Sequence, residues 1–177
     1  PPQIRHRVLE SSAGLEVIEI SCPAEHETLV DHDIDLPTKK VQPNRDFSGQ
    51  HFVLHKVSQA EWNPWRIKGF EFRDTGIGTA TKGLAGIRII RTMNTAKPLV
   101  YSHSGEFYFC FILEGEVTLI CEGLGPKRME SGDSCVIPAG QRFALSDCSN
   151  KMELLEATFP AELELKLHTL SVESLMN

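Results

Sequence analysis

The chain has 177 residues, 41% of them hydrophobic and 24% charged, and a net charge of −6. That balance belongs to a folded globular protein and argues against nucleic acid as a partner, which needs a basic face. No apolar run approaches the roughly 20 residues of a membrane-spanning helix.

The chain opens on one half of an internal repeat. Pro1 to Glu27 lies without gaps over Pro138 to Glu164, and the nine identities include Arg5/Arg142, Ser12/Ser149, Glu16/Glu153, Glu19/Glu156 and Pro23/Pro160. The second copy ends a complete series of strands, so the first copy reads as the tail of a preceding domain of the same kind. The chain also starts at Pro1 rather than at Met, which fits the C-terminal part of a longer, two-domain protein. Within the tail, Leu15 to Ile20 reads as a strand. Residues 31–50 are rich in Asp, Pro, Lys and Asn and read as a linker, which leaves 51–177 as the second domain.

From His51 the pattern is one of short strands. His51 to Val57 and Gly69 to Arg73 are candidates, with turns at Gly76-Ile77-Gly78 and Gly83, and Gly86 to Arg91 is a further strand. Phe107 to Leu113 is almost wholly apolar and reads as a strand buried on both faces. Val117 to Cys121, Ser134 to Ile137, Phe143 to Leu145 and Met152 to Phe159 follow, with Gly123, Gly125 and Pro126 marking a turn. Glu162 to Leu170 fits either a last strand or a short helix. Short strands about ten residues apart, divided by turn residues, predict an all-β sandwich or barrel.

Five cysteines (Cys22, Cys110, Cys121, Cys135, Cys148) form no CxxC pair and leave an odd count. That usage fits free thiols in a reducing, cytoplasmic setting.

Two motifs carry a family resemblance. Tyr101-Ser-His103, Tyr108 and Leu113-Glu-Gly115 resemble the first cupin motif, and Gly132 through Pro138 and Gly140 to Phe143 resemble the second, Gly-x5-Pro-x-Gly-x2-His. The resemblance implies an RmlC-like cupin fold, a double-stranded β-helix or jelly-roll barrel, preceded by the last strands of a second cupin domain. The whole would be a bicupin. It also implies a homodimer and a small-molecule ligand.

Metal-binding cupins typically draw two His and a Glu from motif one and a His from motif two. Tyr101, Tyr108 and Phe143 stand at three of those positions here, and His103 alone is kept. Strand alternation would place Glu106 on the face of Tyr108, giving His103 and Glu106 as the remaining metal candidates, fewer than the three or four protein ligands a metal needs. The repeat sets His6 at the motif-two ligand position of the preceding domain. The resemblance therefore implies a divalent metal (Fe, Mn, Zn or Ni), with metal-dependent chemistry of the dioxygenase kind, in the first domain of the intact protein and none in this one.

The expected pocket of this domain is lined by Tyr101, His103, Glu106, Tyr108, Cys110 and Phe143. Its readings are a binding or stabilising barrel without catalysis, or an acid–base enzyme with His103 as base and Tyr101 or Tyr108 as acid. Arg66, Arg73 and Arg88 are of the type that grips a carboxylate through paired hydrogen bonds, and equally of the type that pairs with surface Glu and Asp.

Overall fold

The computed structural model describes residues 2–26, 31–93 and 97–176. Pro1 and Glu27, the two ends of the repeat, fall outside them. Eleven strands form two antiparallel sheets among the described residues. The first sheet has six strands in the order β1 (Asn63–Pro64), β2 (Phe70–Asp74), β3 (Gly86–Thr92), β10 (Glu153–Phe159), β5 (Phe107–Glu114) and β8 (Ser134–Val136). The second has five in the order β11 (Leu165–His168), β4 (Val100–His103), β9 (Phe143–Ser146), β6 (Glu116–Cys121) and β7 (Gly125–Glu130). The two faces enclose the core of a jelly-roll barrel.

Alternation within strands sends Tyr108, Cys110 and Ile112 of β5 inward, against Ile90, Leu154, Val117, Leu119, Phe143 and Leu145. Burying such aliphatic and aromatic side chains stabilises the fold by about 1.5–3 kcal/mol each. A smaller cluster of Val100, Ile120, Ala144 and Leu175 lies outside the five-stranded sheet, where the short 3-10 helix Val172–Leu175 covers it. Gly115, with φ at 72°, makes the turn from β5 into β6, and a Cβ there would lie 2.3 Å from the Ser149 hydroxyl. Only glycine fits that turn.

Several sequence expectations are corrected. Leu15 to Ile20 and His51 to Lys56 join no ladder, and Val57 opens a short 3-10 helix, Val57–Gln59. The Gly76–Gly83 segment holds a helical turn, α1 (Ile77–Ala80), and β7 occupies the stretch read as a turn at Gly125-Pro126. Glu162 to Leu170 resolves in favour of a strand, β11, because Leu165 to His168 pairs with β4. Strand β5 is fully buried on one face and only partly covered on the other, where Phe107, Phe109 and Phe111 lie. The linker is anchored at both ends, since Ile34 and Phe47 are buried.

No helix among the described residues is long and apolar enough to cross a membrane.

Candidate functional site

The barrel centre holds most of the residues expected to line a pocket, and packs them against one another. Tyr101 and His103 enter from β4, Tyr108 and Cys110 from β5, and Phe143 from β9. Their rings form a chain: His103 meets Tyr108 edge-on at 5.2 Å, and Tyr108 meets Phe143 at 5.7 Å. Tyr101 completes it at 6.5 Å from Phe143. The first two contacts are edge-to-face, attractive because a ring's positive edge meets its neighbour's negative face, and the third is tilted. His103 Nε2 donates to the Ile137 carbonyl at 2.8 Å, while its Nδ1 is buried without a partner. Glu106 does not join them. It precedes β5, outside the alternation that was to turn it inward, and is exposed. His6 is exposed in the tail, and no group of three or more potential metal ligands occurs among the described residues.

A polar cluster lies beside this stack, and its key residue escaped the sequence reading. Glu156 of β10 is completely buried in the middle of the six-stranded sheet. Its carboxylate accepts a hydrogen bond from Arg66 Nη2, and Arg88 Nη1 lies 3.6 Å from its other oxygen. Arg88 also donates to the Ala161 carbonyl at 2.9 Å and to the Glu162 carboxylate at 2.6 Å. The register explains the grouping: Arg88, Glu156, Cys110 and Cys135 are directly opposite one another across β3, β10, β5 and β8. Ladder partners share a face, so all four side chains form one row on the barrel's inner side.

The electrostatics of the cluster pull in opposite directions. Burial raises the Glu156 carboxyl above its ordinary range despite the attraction of Arg66 and Arg88. For Arg66 lost solvation is the largest single influence and lowers it, yet Glu156 and Tyr108 together outweigh this and leave its guanidinium raised. The charged pair therefore favours Arg66 and penalises Glu156. A buried ion pair of this kind is weak ground for stability, and perturbed groups clustered beside a cleft are typical of functional sites. Tyr108, pushed well up by burial, presents its hydroxyl to the same cluster.

Above the cluster opens a cleft of about 400 Å³, lined by Trp65, Arg66, Phe72, Arg88, Leu163 and Leu165 with Glu162 and Glu164 at its rim. Seven buried polar side-chain atoms lack a hydrogen-bond partner among the described residues, and four belong to Trp65, Arg66, Tyr108 and Glu156. Trp65 and Arg66 line the cleft, and Tyr108 and Glu156 are buried beside Arg66. Arg73 stands apart, with its guanidinium 5.6 Å from the Trp62 ring centroid. The signal for Glu156 in the sequence was a single charge inside Leu154-Leu155-Glu156-Ala157-Thr158, a stretch that otherwise reads as a central strand.

Residues 93–156, a little over a third of the chain, match the cupin domain family. The barrel superposes on the polyketide cyclase RemF from Streptomyces resistomycificus with a TM-score of 0.52 and 16% identity, over 69% of this chain and 90% of that one. It superposes on Pac13, a nucleoside dehydratase, with a TM-score of 0.51 and 12% identity, over 68% of this chain and 94% of that one. A variant of Streptomyces Pac13 with uridine gives a TM-score of 0.51 at 12% identity, over 68% and 93% of the two chains. A search of curated proteins finds no match. At these identities the likeness is one of fold, and the fold is the cupin barrel.

Proposed function

We propose that this cupin barrel binds a small organic carboxylate at its open end, against Arg66 and Arg88. The carrying observation is Glu156, fully buried against Arg66 and Arg88, the two arginines that line a cleft with aromatic and aliphatic walls. Glu156 and Glu162 balance the two guanidiniums, so a ligand anion gains a cation where Glu162 swings off Arg88, and arginine's planar fork suits a carboxylate. Glu162 supports this chemistry. Its side chain is 89% exposed, yet its carboxylate sits on Arg88 Nη2, in a position that a ligand carboxylate would take by displacing it. Trp65, Phe72, Leu163 and Leu165 supply apolar surface for the ligand's body. RemF and Pac13, which share the fold, are by their names a polyketide cyclase and a nucleoside dehydratase, and so act on organic molecules. Titration calorimetry with an aryl carboxylate and its neutral carboxamide tests the reading. The acid is expected to bind saturably, the amide not to bind, and Arg88→Met to abolish the difference. Equal binding of acid and amide overturns it.

A second reading, that the barrel is half of a bicupin, is favoured by the conformation of residues 2–26. Gln3 has φ at 60°, as its repeat counterpart Gly140 has φ at 79°. The Leu15 N–H bonds the Ser12 carbonyl, as the Met152 N–H bonds that of Ser149. Val8, Leu15 and Val17 are 76%, 57% and 75% exposed, whereas their counterparts Leu145, Met152 and Leu154 are buried in the barrel core. Apolar side chains at interior positions of the repeat fit a segment made to complete another barrel. In that protein His6 would serve a divalent metal (Fe, Mn, Zn or Ni) in the first domain, and this barrel would stabilise it. The reading requires a His-x-His…Glu set encoded upstream of Pro1, and a complete reading frame without one ends it. Homodimer formation and a cytoplasmic site remain part of the proposal.

The acid–base reading of His103 gains no comparable support, because both ring nitrogens are enclosed by the aromatic stack and the Ile137 carbonyl.

A further inference from the structure

Cys110 and Cys135 face each other directly across β5 and β8, at the end of the row that begins with Arg88 and Glu156. We propose that these two thiols form a reversible disulfide when the protein meets a hydroperoxide. The inference stands on the strand register and is independent of the ligand reading above.

The geometry is favourable on three counts. The flanking bonds, Ile137 N–H to the Tyr108 carbonyl and Ile112 N–H to the Asp133 carbonyl, are both 2.9 Å and make Cys110 and Cys135 a hydrogen-bonded pair. In such a pair the Cα atoms are about 5.5 Å apart, inside the range that a disulfide spans. Both side chains pack on the same inner cluster, so the sulfurs share one face. Finally, β8 is a three-residue strand at the edge of its sheet, with a neighbour on one side only. It can shift to bring the two Cβ atoms to bonding separation with little disturbance to the rest of the barrel.

The two cysteines differ in a way that divides the chemistry between them. Cys110 is buried, whereas Cys135 is partly exposed between exposed Ser134 and Val136. A hydrogen bond from the Cys110 thiol lowers Cys135, while that bond and burial raise Cys110 well above its ordinary range. Cys135 is therefore the thiolate that reacts first. Its sulfur attacks a peroxide oxygen, the O–O bond breaks, and Cys135 becomes a sulfenic acid as the peroxide leaves as hydroxide. The Cys110 sulfur then displaces the sulfenic oxygen: an S–S bond forms, the S–O bond breaks, and water leaves with the Cys110 proton. Two thiols and one hydrogen peroxide give one disulfide and two waters. A bridge across a hydrogen-bonded strand pair departs from relaxed geometry, which makes it easily reduced.

The purified chain is treated with hydrogen peroxide, its remaining thiols are alkylated, and intact mass and non-reducing peptide maps are recorded. The expected result is the loss of two hydrogens, a linked peptide pair containing Cys110 and Cys135, and reversal by excess reduced glutathione. Cys110→Ser is expected to stop at the Cys135 sulfenic acid, trapped by dimedone, and Cys135→Ser to leave Cys110 unreacted. Cys121, the other thiol close to Cys135, provides a control. A Cys121–Cys135 link, oxidation confined to exposed Cys22, or an unchanged mass loss in Cys110→Ser would each overturn the assignment.

Discussion

Replacing Arg66 by methionine separates the electrostatic part of the cluster from its packing. The substitution keeps an unbranched apolar stem beside Trp65, whose ring centroid lies 5.2 Å from the guanidinium carbon. It removes the closer of the two cations from a carboxylate with no exposed surface, and Arg88 is left at 3.6 Å. Removing one partner from a buried pair costs about 3–5 kcal/mol, and the partly exposed Arg66 side chain puts the expected loss near the lower end, ~3 kcal/mol. For a protein of this size that is a fall in Tm of about 6–12 °C at neutral pH. The sign of the pH dependence follows from Glu156. Its carboxyl is already raised above the ordinary 4.5 by burial, and losing Arg66 raises it further. A carboxyl raised by folding contributes stability that is present below its unfolded pKa and lost as pH rises through its folded one. The variant's deficit should therefore be large at pH 7 and shrink toward pH 5, as Glu156 takes up a proton instead of remaining an unpaired charge. Thermal melts of both proteins across that interval, followed by far-ultraviolet circular dichroism, measure it. A deficit of the same size at both ends would refute the reasoning and assign the loss to packing on Trp65.

Three further outcomes follow from the same architecture. Gly86→Ala should cost about 1–3 kcal/mol in urea denaturation through overpacking, because the new Cβ would lie 2.7 Å from the Ala161 carbonyl oxygen and 2.9 Å from the Thr158 hydroxyl. Since Arg88 holds that same carbonyl, carboxylate affinity measured by calorimetry should fall as well. Leu154→Ala, at a side chain 1% exposed beside Glu156, should cost about 2–5 kcal/mol by leaving a cavity, read as a lower denaturation midpoint with an unchanged slope. Elemental mass spectrometry of the purified chain should find less than one transition metal per several chains. A stoichiometric metal would mean that His103 recruits ligands from elsewhere, His6 included.

Turn residues and alternation made the barrel legible in the sequence. Gly132, Pro138 and Gly140 announce the second motif, and apolar runs such as Val117 to Cys121 announce strands, dry there on both faces because Leu175 packs with Ile120 outside the sheet. Those are local rules, so strands β3, β5, β6, β9 and β10 could be placed from their own residues. Strand β7 could not, since Gly125-Pro126 carries a turn's composition and becomes a strand only by pairing with β6. Leu165 to His168 likewise owes its conformation to β4, a partner more than sixty residues away.

The candidate site depended still more on the tertiary structure. The sequence showed that three of four metal-ligand positions had been replaced, and that Tyr101, His103, Tyr108 and Phe143 would meet inside the barrel. Whether they would line an open pocket or fill it was a matter of packing, and they fill it. Glu156, Arg66 and Arg88 are far apart in the chain, and nothing local distinguishes an arginine on the surface from one held over a buried carboxylate. Register alone sets Arg88 opposite Glu156, Glu156 opposite Cys110, and Cys110 opposite Cys135. The identity of each residue was fixed by the sequence, but their meeting required the ladder, because register is set by the whole sheet closing around its core.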